Sequence, residues 1–347
     1  GMRLKKLKRY KKLIAVLTSA FICSMFFSGC GKKNEEFTKI KVAEVTHSIF
    51  YAPQYVAINE GYFKEEGLDI ELIAAQGADK TMAALISDEV QIGLMGPEAS
   101  IYVYNKGSND YAINFAQLTK RDGSFLVGRD KEDNFKFENL KGKEVLGGRK
   151  GGVPEMTLEY TIKNNNLKIG TNKENGEVNV RTDIQFNVMA GSFTAGEGDY
   201  VTLFEPSATS LEKQGQGYIV ASIGEESGEI PYTAYSATNK YIKENKQTIQ
   251  SFTNAIYKGQ IYVQNHSAEE IAKSIAPFFN DMKMEDIVTV VNRYKSIDAW
   301  CQNPILEEES LNRLMDVMDM AKELDKRAPY EKIVTKTFAE ESIEKVK

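Results

Sequence analysis

The chain has few of the side chains on which hydrolytic and metal chemistry depend: its 347 residues include two histidines, three cysteines and one tryptophan. Only His47 and His266 can supply an imidazole, so the chain has few of the residues that metal-assisted hydrolysis and Ser/His or Cys/His catalysis need. The cysteines are Cys23, Cys30 and Cys301, which are too few for a disulfide framework or a cysteine-based zinc site. The sequence therefore predicts no enzyme, no metal and no cofactor.

An excess of basic charge is also missing, since the formal net charge is -5. Residues 1–29 contain seven Lys or Arg residues and no acid, so the rest of the chain has a formal charge of -12. Binding to nucleic acid depends on Lys and Arg side chains that neutralise phosphates. The acidic balance therefore excludes nucleic acid as an expected partner.

The amino-terminal segment has the pattern of a secretory signal. A basic stretch at 3–12 precedes an apolar run from Leu13 to Phe27, and small residues stand directly before Cys30. The run has about 15 residues, fewer than the ~20 that a membrane-spanning helix needs. The pattern resembles a bacterial lipoprotein signal, which implies a signal peptide at 1–29, lipidation of Cys30 and a polar tether at 30–39. The alternative is an ordinary secretory signal in which Cys30 is incidental.

Segments with strand and helix periodicity alternate from residue 40 onward. Residues 40–45 alternate at period two, and 53–66 have apolar residues at helical spacing. The segments 68–73, 79–87 and 91–95 follow as strand, helix and strand. This order predicts βαβ units and a parallel sheet.

A second region repeats this arrangement. Residues 87–100 and 195–209 share an acidic turn, a buried strand, a proline-containing loop and a new helix. We expect residues 141–148 to open a second sheet, 231–237 to return to the first, and 240–347 to be mostly helical. The predicted fold is α/β with two lobes and a ligand cleft between them. Lobe I is expected to contain 40–123 plus 233–347, and lobe II 124–232.

Several motifs resemble the NMT1/THI5-like (sulfonate/nitrate/pyrimidine-precursor) family of ABC-transporter solute-binding proteins. They are Phe50-Tyr-Ala-Pro-Gln-Tyr-Val-Ala57, Glu60-Gly-Tyr-Phe-Lys-Glu-Glu-Gly-Leu-Asp-Ile-Glu-Leu72, Ala84-Leu-Ile-Ser-Asp-Glu-Val-Gln-Ile-Gly-Leu94, Leu140-Lys-Gly-Lys-Glu-Val145, Phe204-Glu-Pro206 and Pro231-Tyr-Thr233. The resemblance implies a periplasmic-binding-protein-like fold of type II. It also implies an extracytoplasmic monomer that captures a small solute for an ABC permease in the membrane with its cytoplasmic ATPase. The lipid anchor suggests a Gram-positive cell membrane.

Two other functions are compatible with such a fold. A ligand-sensing lobe could serve a signalling partner, although no kinase or cyclase domain is attached. Part of the family resembles a pyrimidine-precursor synthase, but the cysteine-rich CCCFC motif of that enzyme is absent from this chain.

The expected site lies in the loops beyond the carboxyl ends of the strands, where open α/β sheets bind ligands. Glycine-containing loops that open helices would direct backbone N–H groups into the cleft. The candidate ligand-binding residues are His47, Tyr51, Gln54, Gly77, Gly96, Glu98, Ser100, Gly151, Gly152, Glu205, Tyr232 and Tyr235.

Each candidate has a structural alternative. His47 suits a capping role, and Gly151 with Gly152 suits a plain turn. Glu98 and Glu205 could form a pair of carboxylates across the cleft, but a helix N-terminal cap or a hinge contact is the favoured interpretation. Loop packing for Tyr51 and Gln54, and core packing for Tyr232 and Tyr235, stay open.

The ligand is expected to be a pyrimidine or thiamine-precursor-like heterocycle or a sulfonate-type anion. Tyrosines suit a flat ring, whereas a strong anion needs cationic donors. Arg149 and Lys150 are the obvious cations. Because basic residues are few, the sequence favours a neutral or weakly charged heterocycle.

Overall fold

The computed structural model describes residues 36–346. The predicted signal peptide, Cys30 and residues 30–35 of the predicted tether lie outside the described residues. The ten strands of the described part are β1 (Thr38–Glu44), β2 (Leu68–Ala74), β3 (Ile92–Met95), β4 (Ala112–Thr119), β5 (Phe125–Gly128), β6 (Glu144–Leu146), β7 (Asn179–Arg181), β8 (Tyr200–Leu203), β9 (Tyr218–Ser222) and β10 (Thr233–Thr238).

Fifteen α-helices connect and cover these strands within residues 36–346. They are α1 (Ala52–Asn59), α2 (Tyr62–Glu65), α3 (Ala78–Ile86), α4 (Glu98–Asn105), α5 (Val153–Asn164), α6 (Phe186–Thr194), α7 (Ser207–Lys213), α8 (Ile223–Ser227), α9 (Asn239–Glu244), α10 (Lys246–Asn265), α11 (Ala268–Ile275), α12 (Met284–Ser296), α13 (Glu308–Met320), α14 (Tyr330–Ile333) and α15 (Thr337–Lys345). In this part of the chain, no helix combines the length and apolar character needed to cross a membrane.

The strands form two five-stranded sheets, with the orders β2-β1-β3-β10-β4 and β7-β6-β8-β5-β9. We call the first sheet with its helices lobe I and the second sheet with its helices lobe II. The predicted residue boundaries of the lobes, at 123/124 and 232/233, stay a prediction.

Both sheets are mixed, although the parallel arrangement predicted for residues 40–95 is confirmed in β1, β2 and β3. In lobe I, β1 is parallel to β2 and β3, whereas β10 is antiparallel to β3 and β4. In lobe II, β5 is antiparallel to β8 and β9. The exceptions β5 and β10 enter their sheets directly from a crossing between the lobes. No helix stands between β4 and β5, and only the five-residue α8 precedes β10, so neither strand follows the long crossover connection that makes consecutive strands parallel.

Two expected elements differ from the structure, and one strand has no counterpart in the prediction. The helix expected over 53–66 is interrupted, because Gly61 has a left-handed φ of +81° between α1 and α2. The second sheet opens with β5 rather than with residues 141–148, which contain β6. β4 had not been expected, although its sequence, Ala-Ile-Asn-Phe-Ala-Gln-Leu-Thr, is nearly all buried.

The repeat seen in the sequence corresponds to the middle of each sheet. β3 and β8 are the third strand of their sheets, and each is followed by a proline-containing loop and a helix, α4 or α7. Equivalent positions in the two lobes therefore direct Glu98 and Glu205 toward the sheet edge at which the strands end.

The chain passes between the lobes twice, at 120–124 and at 223–232. The two connectors lie side by side, because the Ile230 N–H donates to the Lys120 carbonyl at 2.9 Å and the Tyr232 N–H donates to the Thr119 carbonyl at 3.2 Å. Two adjacent connectors are the arrangement from which a hinge between domains can be built.

The carboxy-terminal helices complete lobe I. α10 packs on α1, and α15 contacts β4. The ring of Phe252 on α10 lies 5.0 Å from those of Phe63 and Tyr235 and 5.9 Å from that of Phe115. α13 contacts both α4 of lobe I and α5 of lobe II, so this block borders the cleft.

Candidate functional site

A cavity of about 590 Å³ lies between the lobes, and residues of both lobes form its wall. Lobe I contributes the start of α3, the loop after β3 and one side of α4. Lobe II contributes residues 149–154 and 182–186. This is the edge at which β3 and β6 end, where α/β sheets place their ligands. The volume lies in the range of small-molecule sites, about 300–1,000 Å³.

Glycines bring the backbone close to the cavity at two turns. After β3, a Cβ on Gly96 would overlap the carboxylate of Glu98. After β6, Gly148 and Gly151 have φ of +88° and +80°, a left-handed conformation that favours glycine. The backbone of both turns therefore approaches the space that a ligand would use.

Glu98, the first residue of α4, is the buried acid of this cavity and is 1% exposed. Its Oε1 accepts a hydrogen bond of 3.2 Å from the N–H of Val153, the first residue of α5. Its Oε2 is buried and has no hydrogen bond with any described residue. Burial raises the pKa of Glu98 to about 7, and the hydrogen bonds from its own backbone and from Val153 offset part of this effect.

Aromatic rings form the deep wall. Tyr51 and Tyr232 are 2% and 1% exposed. The centroid of the Phe204 ring lies 6.3 Å from that of Tyr232 and 5.8 Å from that of Phe186. Burial raises the pKa of both tyrosines well above the usual range, so they are neutral phenols. Such rings can pack against a flat ligand.

A second buried acid lies behind this wall. Asp122 Oδ1 accepts hydrogen bonds from the backbone N–H and the hydroxyl of Ser124, at 2.7 and 2.6 Å. Asp122 Oδ2 and the Tyr232 hydroxyl are both buried and make no hydrogen bond with described residues. Burial raises the pKa of Asp122 to about 7, and its charge raises the pKa of Tyr232. Tyr232 lines the cavity and Asp122 does not, so Asp122 contributes to the site through its effect on Tyr232.

Contacts between the lobes close the cavity on one side. Arg149 of lobe II forms an ion pair with Asp79 of lobe I. The Tyr102 hydroxyl donates to the Gly151 carbonyl at 2.7 Å. Together with the Glu98–Val153 hydrogen bond, these contacts hold the turn 149–152 against lobe I.

The structure places six of the twelve predicted ligand-binding residues on the cavity wall: Tyr51, Gly96, Glu98, Gly151, Gly152 and Tyr232. The other six lie off it: His47, Gln54, Gly77, Ser100, Glu205 and Tyr235. Ligand contact stays a prediction for all twelve.

Three of the residues off the wall belong to a network around the buried carboxylate of Glu44. This carboxylate accepts hydrogen bonds from Gln54 at 2.8 Å and from the Tyr55 hydroxyl at 2.5 Å, and it lies 3.1 Å from Nδ1 of His47. His47 Nε2 donates to the Phe278 carbonyl at 2.7 Å. The Tyr235 hydroxyl donates to Gln54 at 2.8 Å. The network fixes the first loop of lobe I to the helical block.

Glu205 has the capping role that the sequence favoured. Its Oε1 accepts a hydrogen bond from the Thr209 N–H at 3.0 Å in the first turn of α7, and Arg293 lies 3.6 Å away. Because Glu205 is off the wall, Glu98 and Glu205 do not form a pair of carboxylates in the cavity. Ser100 accepts a hydrogen bond from Asn114 at 3.1 Å, and Gly77 precedes α3 as its N-cap.

Asp79, Tyr102 and Phe186 are among the wall residues that sequence reasoning missed. Tyr102 could have been found, because it follows Glu98 by four residues on α4 and so lies on the same helix face. Asp79 is in a predicted loop, but nothing in the sequence pairs it with Arg149. Phe186 lies in a segment for which no sequence signal was recognised.

Comparisons with known proteins give one matching family and several relatives. A sequence model of the family described as "NMT1/THI5 like" matches residues 49–270. The Bacillus subtilis (strain 168) protein named "Putative binding protein YtlA" is 48% identical over 316 residues, covering 91% of this chain and 93% of that protein. The Candida albicans (strain WO-1) 4-amino-5-hydroxymethyl-2-methylpyrimidine phosphate synthase is 22% identical over 237 residues, 65% of this chain and 66% of that protein.

A solved structure shows the same fold. The alkanesulfonate-binding protein SsuA from Xanthomonas axonopodis pv. citri, solved with bound MOPS, superimposes with a TM-score of 0.67 at 14% identity. The match covers 87% of this chain and 99% of that one. The predicted two-lobed, periplasmic-binding-protein-like α/β fold is thereby confirmed.

Proposed function

Because the chain belongs to the NMT1/THI5-like family, we propose that it is the solute-binding component of an ABC importer. It captures a small molecule between its lobes and presents it to a membrane permease with a cytoplasmic ATPase. The observation that carries this proposal is the cavity of about 590 Å³ with a wall from both lobes. The name of the Bacillus subtilis relative, a binding protein, agrees with it.

The proposed ligand is a neutral or weakly basic heterocycle. Tyr51 and Tyr232 offer flat faces to a ring, and Glu98 offers a buried carboxyl oxygen without a partner in the described structure. Among the described residues, the wall has three cations. Arg149 is paired with Asp79, and Lys150 lies 3.7 Å from Glu323 with its side chain 74% exposed. Lys106, the C-cap of α4, is exposed. A strong anion would have to compete with Asp79 for its best donor.

We further propose that the protein acts as a monomer outside the cytoplasm, held to a Gram-positive cell membrane by lipid on Cys30. This rests on the sequence of the amino-terminal segment. Stable anchoring takes more than one acyl chain or a second signal, because a single chain binds only marginally.

We propose that the protein has no catalytic role. The likeness to the Candida albicans synthase is distant, at 22% identity. The chain has three cysteines and lacks the cysteine-rich motif of that enzyme. Within the cavity, Glu98 forms no acid/base pair with Glu205, because Glu205 is engaged at α7, and the wall carboxylate of Asp79 is paired with Arg149.

Mass spectrometry of small molecules released from the purified protein tests the function. We expect one heterocycle in stoichiometric amount. Adding it back should raise the melting temperature, because a ligand at a hundredfold excess over Kd stabilises the folded state by about 2.7 kcal/mol. A protein that releases no solute, and whose melting temperature no tested solute raises, would contradict the proposal.

A further inference from the structure

The amino-terminal end of α5 opens into the cavity, and it would attract an anion. α5 has twelve residues, and its N-cap is Gly152, which has no side chain to cap the helix. The first N–H groups of a helix lack partners within the helix, and the helix dipole favours negative charge there. An acidic ligand group would therefore be expected at Val153.

In this chain that position is already filled by an acid from the opposite lobe. The Val153 N–H donates to Glu98 Oε1 at 3.2 Å. Glu98 reaches this point because Gly96 leaves room for its carboxyl group. A ligand with a sulfonate or carboxylate group directed at α5 would meet both an occupied N–H group and a like charge.

The second carboxyl oxygen of Glu98, unlike Oε1, has no hydrogen-bond donor among the described residues. Oε2 is buried without a hydrogen bond, and no Lys, Arg or His among the described residues forms an ion pair with Glu98. Leaving a buried carboxyl oxygen without a hydrogen-bond partner costs free energy. Its natural complement is a hydrogen-bond donor on the ligand.

We propose that Glu98 determines ligand specificity by occupying the anion position at α5 and offering Oε2 to a ligand N–H group. Solutes with an amino group or a ring N–H are accepted, and solutes that direct an acidic group at α5 are rejected. This inference rests on the proposed solute-binding function and adds the class of ligand that the site selects.

Binding of methanesulfonate to the wild-type protein and to Glu98→Gln tests the inference by isothermal titration calorimetry. We expect no measurable binding to the wild type. Glu98→Gln should bind at least tenfold more tightly than the wild type, because the like charge is gone and the new amide can donate. Glu89→Gln, an exposed change of the same charge in lobe I, is the matched control and should gain nothing.

A second variant keeps the inference testable if Glu98→Gln does not fold. Glu98→Ser leaves the Val153 N–H group free, so methanesulfonate should shift the Val153 amide resonance in this variant and leave it unchanged in the wild type. Melting curves establish which variants are folded. The inference is overturned if the wild type binds methanesulfonate as tightly as the folded variants, or if no folded variant gains affinity.

Failure of this inference is distinguishable from failure of the proposed function. A wild-type protein that releases and rebinds a solute, while Glu98→Gln gains no affinity for methanesulfonate, contradicts only the role of Glu98. A wild-type protein that neither releases nor binds any solute contradicts the solute-binding function itself.

Discussion

At the scale of single residues, the buried carboxyl of Glu98 links stability to pH. Its pKa is raised from 4.5 to about 7, so the native state binds more protons than the unfolded state between these values. The resulting stabilisation is complete below pH 4.5 and is lost as the pH rises through 7. A shift of this size corresponds to a free energy on the order of 3 kcal/mol.

We therefore expect the free energy of unfolding of the wild type, relative to Glu98→Gln, to fall by about 1–3 kcal/mol between pH 4.5 and pH 8. Urea unfolding at several pH values measures this difference. Asp122 and Glu205 also have pKa values raised to about 7, but they are common to both proteins. Parallel stability curves for the two proteins would show that Glu98 is ionised alike in the native and unfolded states.

Gly96 gives a second test at this scale. Gly96→Ala adds a Cβ that would overlap Glu98 Oε2, so the carboxyl must move away from the Val153 N–H group. We expect at least tenfold weaker binding of the released solute, measured by calorimetry. Gly191→Ala is the matched control, because a Cβ there meets nothing within 4 Å and Gly191 lies on α6, off the cavity wall. Equal loss in both variants would argue against a specific role for Gly96.

The site residues show where sequence reasoning stops. Tyr51 lies just before the helix predicted over 53–66 and Gln54 lies in its first turn, and nothing in the sequence shows which of the two faces the cleft. In the structure Tyr51 faces the cavity, whereas Gln54 bonds to Glu44 ten residues before it and to Tyr235 far along the chain. Glu98 and Glu205 follow equivalent strands, but Thr209 stands four residues after Glu205 and captures its carboxyl group. Which of these side chains faces the cavity depends on contacts between segments that are far apart in the chain.

At the scale of elements, the packing of α10 on α1 depends on Gly259. A Cβ at this position would overlap the carbonyl oxygen of Pro53 and lie 3.2 Å from Cβ of Ala57. Backbone cannot move aside as a side chain can. We expect Gly259→Ala to destabilise the protein by about 1–3 kcal/mol, although alanine is the better helix former.

Urea unfolding of Gly259→Ala measures this effect. The control is again Gly191→Ala on α6, which should be neutral or stabilising by up to about 1 kcal/mol. A stabilised Gly259→Ala would mean that α10 and α1 lie further apart than the structure shows.

Strands that show their own periodicity could be predicted from the sequence. The direction and place of the strands that follow a crossing between the lobes could not. β1, β2 and β3 alternate with helices, so period and order identify them. β5 has only four residues, Phe-Leu-Val-Gly, and its direction follows from the connector before it. β10 was recognised as a returning strand, but its place between β3 and β4 and its antiparallel direction follow from the lobe that precedes it.

At the scale of the whole molecule, the contacts between the lobes should set the balance between closed and open forms. An exposed ion pair contributes about 0–1 kcal/mol and a hydrogen bond about 1 kcal/mol. Removing both the Asp79–Arg149 pair and the Tyr102–Gly151 bond therefore changes the ratio of closed to open forms by roughly 5- to 30-fold.

The double variant Asp79→Asn/Tyr102→Phe should have a larger radius of gyration without solute, measured by small-angle X-ray scattering. Addition of the released solute should restore the smaller radius. Arg327→Gln is the control, because its ion pair with Asp316 lies within the helical block and does not join the lobes. An unchanged radius in the double variant would contradict this account of closure.

The proposed attachment to the membrane depends on Cys30, which lies outside the described part of the chain. Cys30→Ala should abolish labelling by radioactive palmitate and release the protein into the culture medium, whereas the wild type stays with the cell membrane. Cys301→Ala, at a buried cysteine, should label as the wild type does. A wild type that carries no label would contradict the proposed anchor.

The two crossings also impose an order of assembly. Among the ten described strands, β4 pairs only with β10, and β10 lies after the whole of lobe II in the chain. The single bridges of β4, to Trp300 and Val334, involve residues that come later still. A chain that emerges amino end first from a ribosome or an export channel cannot attach β4 until residue 238 has appeared. The five strands of lobe II, in contrast, are complete at residue 222. Lobe II can therefore fold before β10, the fourth strand in the sheet of lobe I, has emerged. The cavity between the lobes forms last.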